Sequence, residues 1–339
     1  MKSVTSKPTP HEIAAWIITG GALFLVLKVH LLPALLAGLL VHELVHMLAE
    51  RLSISRLTNQ RAKLVAVAVI AVFIIGVTTL AILGISAFVR SDAGSLSMLM
   101  QKMAEIIEGT RPMLPDWAAA YIPANTEALK DAIVQWLREH AAEVQLVGTE
   151  AVRGMAHTLI GMVVGALIAL REVAPDDSPH PLARALTERA RRLADAFRRV
   201  VFAQMRIAAL NATFTWLYLD VALPLMGIHL PLAKTLVAVT FVVGLLPIIG
   251  NLISNTVIVI VSLSHSVPVA LGSLAFLIVI HKLEYFLNAR IIGSQIRARA
   301  WELLLAMLAM EASLGLAGVI AAPIYYAYLK AELADRSLV

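Results

Sequence analysis

Uncharged apolar stretches of about 20 residues recur along this chain, and they limit its possible folds more than any other feature. Residues 64–89, for example, contain no charged side chain. A helix of that length crosses the roughly 30 Å hydrocarbon core of a bilayer. The strands of an outer-membrane barrel would alternate apolar and polar residues, whereas these stretches are apolar on every side. The sequence therefore predicts an all-α polytopic membrane protein with about eight transmembrane helices.

The composition agrees with a membrane protein and excludes several kinds of chemistry. Of the 339 residues, 59% are hydrophobic and only 15% are charged. The chain contains no cysteine, so disulfides and thiolate catalysis are excluded, and we expect no cofactor. A net charge of +5 would suit nucleic acid, but the basic residues flank apolar spans, where they set the orientation of the helices. We therefore predict membrane lipid as a partner and no nucleic acid.

Charge asymmetry between the loops predicts the orientation of the spans. Residues 184–206 contain seven arginines against two acidic residues, a net charge of 7 − 2 = +5. Residues 90–150 contain five basic against nine acidic residues, a net charge of 5 − 9 = −4. Because basic loops stay in the cytoplasm, we predict a multi-pass protein of the bacterial inner membrane with a cytoplasmic N-terminus.

The same features predict four regions. They are spans 1–3 (1–89), an extracytoplasmic helical insert (90–150), span 4 with a basic cytoplasmic amphipathic helix (151–202) and the C-terminal membrane spans (203–339). In the insert, a helix beginning near Asn125 meets no breaker, so we expect it to continue into the fourth span as one long helix. In the basic helix, Leu193 and Phe197 belong to an apolar face. That face fits contact with lipid headgroups, or alternatively a regulatory partner.

Two long apolar segments near the C-terminus are interrupted. Residues 232–264 contain the breakers of GLLPIIGN, and residues 301–329 contain ASLGLAG followed by Pro323. Discontinuous helices of this kind form the sites of secondary transporters, because their free backbone groups are tolerated only beside protein or a water-filled cavity. Re-entrant half-spans at these breaks would also bring the basic loop after the seventh span back to the cytoplasm.

The sequence runs around these breaks occur together in a known protein family. The runs GLLPIIGNLISN (244–255), HKLEYFLNARIIG (281–293) and LLLAMLAMEASLGLAGVIAAPIYYAYLK (303–330) resemble the autoinducer-2 exporter family of bacterial transporters. The resemblance implies a permease that forms homo-oligomers, pentamers by analogy. It also implies export of a small hydrophilic quorum-sensing signal or related metabolite, with possible coupling to protons or sodium. The family's glycines, prolines and asparagine map onto Pro247, Gly250, Asn288, Gly293, Gly315, Gly318 and Pro323.

Polar side chains within these segments are candidates for the transport pathway, since charges at bilayer depth are costly. Glu284 and Asn288 are four residues apart on one helix face, which fits either a cavity lining or a local cluster at the membrane end. Glu311 stands between apolar runs, as a buried proton carrier or as a structural ion pair. Asn251 and Asn255 suit a polyhydroxylated solute, although hydrogen bonding between helices explains them equally well.

One motif points to a different function. Residues 42–46 read HELVH, in which His42 and His46 would bind zinc and Glu43 would activate water. A catalytic zinc needs a third protein ligand, and the sequence offers no counterpart of the aspartate motif of intramembrane metalloproteases. We therefore predict a transporter without enzymatic activity, and an intramembrane zinc metalloprotease is the alternative.

Overall fold

The computed structural model describes residues 8–53, 59–90, 126–171, 180–245, 249–263, 265–296, 299–336 and 338. Its long elements in these ranges are α-helices. They are α1 (Pro10–Lys28), α2 (Leu32–Ser53), α3 (Asn59–Arg90), α4 (Thr126–Glu139), α5 (Ala141–Arg171), α6 (Pro181–Trp216), α7 (Ala233–Gly244), α8 (Ile249–Leu263), α9 (Val267–Ile296) and α10 (Ala300–Asp335). A π-helical turn (Leu217–Ala222) and a short α-helical turn (Leu223–Leu225) follow α6.

The predicted fold class is confirmed. Six helical stretches among the described residues are long and apolar enough to cross a membrane. They are Pro10–Lys28, Leu32–Leu52, Gln60–Leu80, Ala141–Arg171, Pro181–Leu225 and Trp301–Asp335. Three shorter apolar helices accompany them, and no strand occurs in the described ranges. The chain is therefore an all-α polytopic membrane protein.

The first hairpin begins at a well-defined cap. The Thr9 side chain accepts a hydrogen bond from the backbone N–H of Glu12, and the Glu12 carboxylate accepts one from the backbone N–H of Thr9. Pro10 fits the first helical position, where its missing N–H costs nothing. The chain then reverses at Val29–Leu31, where His30 has a φ of 59°. This turn separates α1 from α2.

Helices α2 and α5 contact each other through their backbones. A Cβ built on Gly161 would lie 2.1 Å from the carbonyl oxygen of Ala34, and one on Gly165 would lie 2.1 Å from that of Gly38. Such close approach requires glycine and increases the van der Waals contact that holds membrane helices together. The GMVVG sequence at 161–165 is a GxxxG pattern that predicts such a contact.

The described residues divide into two compact units. One unit is made of the described residues within 1–72, 151–207 and 286–339, and the other of those within 73–150 and 208–285. In the first unit, Trp16 of α1 donates its ring N–H to Glu332 of α10 (3.2 Å), and Glu12 forms an ion pair with Arg336. The beginning of α1 and the end of α10 therefore lie at the same end of this unit.

The basic helix is part of this unit. It is continuous with the fifth span in α6, and its apolar side chains Leu193 and Phe197 are buried beside α1 and the C-terminal part of α10. Arg189, only 4% exposed, lies 3.6 Å from Glu332, and Arg192 bonds the same carboxylate at 3.0 Å. This apolar face packs against the protein itself, which differs from the expected contact with lipid headgroups.

The second unit has its own apolar core. Leu219, Leu236, Ile258 and Leu277 are buried together, and they come from the π-helical turn, α7, α8 and α9. The long helix expected to leave the insert is instead divided by a turn at His140, where α4 ends and α5 begins. The helical spacing of Leu96, Leu99, Met103 and Ile106 predicts a further helix in the insert, and this segment lies outside the described residues.

Candidate functional site

The first expected break is confirmed as a helical hairpin. Helix α7 ends at Gly244, and α8 begins at Ile249. The Thr240 and Ser254 hydroxyls are 2.6 Å apart, and a Cβ on Gly250 would lie 2.1 Å from the carbonyl oxygen of Val243. These pairings require two antiparallel helices. At 1.5 Å per residue, 12 and 15 residues extend about 18 and 22 Å, so neither helix alone crosses a bilayer.

Polar side chains follow the turn of this hairpin. Asn251 accepts a hydrogen bond at 3.1 Å from the side-chain amide of Asn211 on α6. Ser254 is buried at 2% exposure, while Asn255 is half-buried. Pro247 lies outside the described residues. The hairpin thus places neutral hydrogen-bonding groups among apolar helices, where the family resemblance locates the pathway.

The second expected break is confirmed at Gly315. Its φ of 62° and ψ of −147° are non-helical and essentially restricted to glycine, so they divide α10 into a first arm (300–314) and a second arm (316–335). A Cβ on Gly318 would lie 2.1 Å from the carbonyl oxygen of Met310. In a straight helix these residues would be about 12 Å apart along the axis. The arms therefore fold back on each other.

Charged and aromatic side chains confirm the antiparallel arrangement of the two arms. Glu302 on the first arm accepts hydrogen bonds from Tyr326 (2.7 Å) and Lys330 on the second. A straight helix would separate Glu302 and Lys330 by about 42 Å. We did not single out these three residues from the sequence, because their proximity follows only from the reversal at Gly315.

Two other candidates on α10, Pro323 and Glu311, differ in how far their side chains are buried. Pro323 is buried on the second arm. Glu311 is exposed on the surface of this chain, not buried as the proton-carrier hypothesis assumed. Any role of Glu311 therefore requires contact with water, lipid or another copy of the chain.

Three candidates lie on α9. Glu284, Asn288 and Gly293 are all within the helix Val267–Ile296, which agrees with the helical spacing used to predict them. The surroundings of their side chains lie outside the described part of the structure. Their role in the pathway stays a prediction.

Buried polar groups continue beyond the predicted set in the second unit. Tyr218 and Ser273 hydroxyls are 3.0 Å apart, and Ser273 and Ser262 hydroxyls are 2.7 Å apart. Asp220 lies in the π-helical turn, and its buried Oδ2 has no hydrogen-bond partner among the described residues. π-helical turns of this kind are frequent at functional sites.

The HELVH segment lies on α2 without the geometry of a zinc centre. The His42 and His46 rings are 4.3 Å apart, and His46 Nδ1 lies 2.8 Å from the carbonyl oxygen of His42. Glu43 is nearly buried, with Arg198 of α6 3.9 Å away. Across the described ranges, no group of three His, Asp or Glu residues is placed to hold a metal ion. Nothing in this geometry favours the metalloprotease.

Comparison with known proteins identifies the family. The model of the AI-2E family transporters matches residues 13–335, nearly the whole chain. This chain belongs to the AI-2E family. The resemblance found in the sequence is thereby confirmed, and so is the general function of membrane transport. The family model describes its members as transporters. No curated protein and no solved structure matches the chain.

Proposed function

We propose that this protein is a secondary transporter of the bacterial inner membrane that moves a small hydrophilic solute, such as a quorum-sensing signal or a related metabolite, out of the cell. A proton or sodium gradient drives the movement. The observation that carries this proposal is the interruption of two apolar segments, between the helix that ends at Gly244 and the one that begins at Ile249, and at Gly315, in a chain of the AI-2E family. Helix breaks free backbone groups that neighbouring protein groups, water or solute must satisfy.

We assign the solute to the class of small hydrophilic molecules because of the polar side chains on the α7–α8 hairpin. Asn251 and Asn255 are uncharged, and their amides both donate and accept hydrogen bonds. Such groups match the hydroxyls of a polyhydroxylated molecule better than a lipid or a strongly charged ion. In this proposal, the Asn211 amide holds Asn251 until a solute hydroxyl replaces it.

The other assigned pathway residues have two further roles. The glycines and prolines shape the breaks and allow the helices to approach closely. They are Gly250, Gly293, Gly315, Gly318, Pro247 and Pro323. Glu284, Asn288 and Glu311 supply polar contacts. In this proposal the active form is a homo-oligomer, a pentamer by analogy with the family. Its N-terminus lies in the cytoplasm, and membrane lipid surrounds the spans.

The substrate can be found without a prior guess. We expect untargeted metabolite profiles of cells that overproduce the protein, compared with cells that lack it, to show one or a few small polar compounds enriched in the medium and depleted inside. Asn251→Ala should reduce this release at least about fivefold, because a hydrogen-bonding site specific for hydroxyls loses one of its donors and acceptors.

Thr256→Ala on the same helix is the matched control, because among the described residues that exposed hydroxyl bonds only the carbonyl of Leu252 within its own helix. The control should release the compounds like the unaltered protein at equal protein levels. Identical profiles with and without the protein would contradict the transport function.

A further inference from the structure

The first part of α6 carries a row of arginines on the side that faces away from the core of the first unit. Arg184, Arg191 and Arg198 are seven residues apart, so they recur about every 10.5 Å, close to two turns, along one side of the helix. Arg184 and Arg198 are exposed, and Arg191 is partly exposed. The opposite side, with Leu193 and Phe197, is buried against α1 and α10. Because protein already covers the apolar side, the arginine row is the surface that α6 offers to a partner.

Carboxylates of the protein balance only part of this arginine row. Arg198 pairs with Asp195 at 3.2 Å. Glu188, the other acidic residue of α6, pairs at 2.9 Å with an arginine outside the row. Within the described ranges, the side chains of Arg184 and Arg191 have neither an ion pair nor a hydrogen bond. The row therefore keeps two guanidinium groups that no described carboxylate neutralises.

The arginine row begins at the end of the first unit where its spans reach the membrane surface. Helices α2 and α5 run in the same direction, because two successive glycines of α5 meet residues of α2 at one constant offset. The exposed Arg51 and Arg171 near their last residues therefore lie at the same end. Arg192 pairs with Asp335 at 2.9 Å, which joins α6 to the end of α10 and so to the beginning of α1. Since α1 and α2 form a hairpin, this is the end that Arg51 and Arg171 mark, and basic residues at span ends lie at headgroup level.

We propose that Arg184 and Arg191, together with Arg51 and Arg171, bind the phosphate groups of anionic phospholipids such as phosphatidylglycerol. A guanidinium group donates two parallel hydrogen bonds to one phosphate, so arginine fits this headgroup better than lysine does. Anionic lipids also give the membrane surface a negative potential that attracts a basic segment. Bound lipid then holds the first part of α6 at the surface, where the helix leads directly into the fifth span. This partner goes beyond the proposed transport function and does not depend on the identity of the solute.

Thermal unfolding of the purified full-length protein in detergent with added lipid tests this surface. We expect Tm to rise by about 2–4 °C with saturating phosphatidylglycerol relative to equal phosphatidylcholine, because a lipid that binds the folded state stabilises it. Raising NaCl from about 0.1 M to about 1 M should remove most of this difference, since the screening length falls from about 10 Å to about 3 Å. Sodium phosphate added with phosphatidylcholine, at the same phosphate concentration, should produce no such rise.

Variants assign the lipid response to the arginine row. The double exchange Arg184→Gln/Arg191→Gln should raise the half-saturating fraction of phosphatidylglycerol at least about fivefold, because a single arginine near an anionic surface contributes about that factor in affinity. Arg184→Lys/Arg191→Lys keeps the charge and should lose less. Arg138→Gln, which removes an exposed arginine of α4 in the second unit, is the matched control and should respond normally. In phosphatidylcholine alone, all three variants should unfold at the Tm of the unaltered protein.

Each outcome either supports the lipid surface or overturns it. Equal stabilisation by phosphatidylglycerol and phosphatidylcholine, or an undiminished response in Arg184→Gln/Arg191→Gln, would refute it. A rise with sodium phosphate as large as the rise with phosphatidylglycerol would indicate a site for free anions and would also refute it. A response that is weakened in the double glutamine variant but kept in Arg138→Gln would support the lipid surface, whether or not metabolite release is found.

Discussion

Replacing Gly318 by alanine is expected to reduce solute release at least about tenfold and to destabilise the protein by about 1–3 kcal/mol, as overpacking of a filled site does. The added Cβ would lie 2.1 Å from the carbonyl oxygen of Met310 and 3.2 Å from the Leu314 side chain. The nearest obstacle is backbone, so it cannot rotate away. The arms of α10 must therefore separate near the Gly315 turn.

Gly20→Ala is the matched control for this exchange. Gly20 lies in α1, and a Cβ there would meet no atom within 4 Å. Both exchanges raise helix propensity, so a difference between them reports the contact and not the intrinsic preference of alanine. Metabolite release and Tm measure the two effects. A Gly318→Ala protein that matches Gly20→Ala in both would show that the arms do not approach closely.

The second large effect is expected for Gly250→Ala. Its Cβ would lie 2.1 Å from the Val243 carbonyl oxygen and 2.9 Å from the Gly244 Cα, so α7 and α8 must move apart. This movement displaces Asn251 from Asn211. We expect release to fall at least about tenfold, since displacement of a positioning group by about 1 Å costs roughly two orders of magnitude in an enzyme.

Gly272→Ala provides the comparison for this position. Gly272 lies on α9, and its added Cβ would meet only the Tyr218 hydroxyl at 3.9 Å, an ordinary contact. We expect Gly272→Ala to keep both Tm and release. If Gly250→Ala also released solute at the unaltered rate, the close packing of this hairpin would have no role in transport.

The sequence predicted the membrane helices well because apolar length is a local property. The uncharged stretch 64–89 was expected to form a membrane helix, and α3 extends over Asn59–Arg90. Breaks were predicted at 244–251 and at Gly315, because proline and glycine interrupt helices through their own backbones. Both breaks occur where they were expected.

Contacts between distant segments were beyond sequence reasoning. The pairing of Glu302 with Lys330 depends on how sharply the chain reverses at Gly315, and a glycine alone does not fix that angle. Glu311 was predicted to be a buried proton carrier or ion pair because it is a lone charge in an apolar run, yet its side chain is exposed on the folded chain. The burial of Phe197 against α1 and α10 likewise depends on tertiary packing, because an amphipathic face can contact lipid or protein.

The most direct test of the account asks whether water reaches the α7–α8 hairpin. The chain has no cysteine, so single-cysteine variants need no further changes. A small cationic thiol reagent reacts with a thiolate, which forms only where water solvates it. We predict that Asn251→Cys and Asn255→Cys react at least about tenfold faster than Leu167→Cys, an exposed apolar position on α5. Cysteines at 251 and 255 as unreactive as the one at 167 would contradict a water-filled pathway.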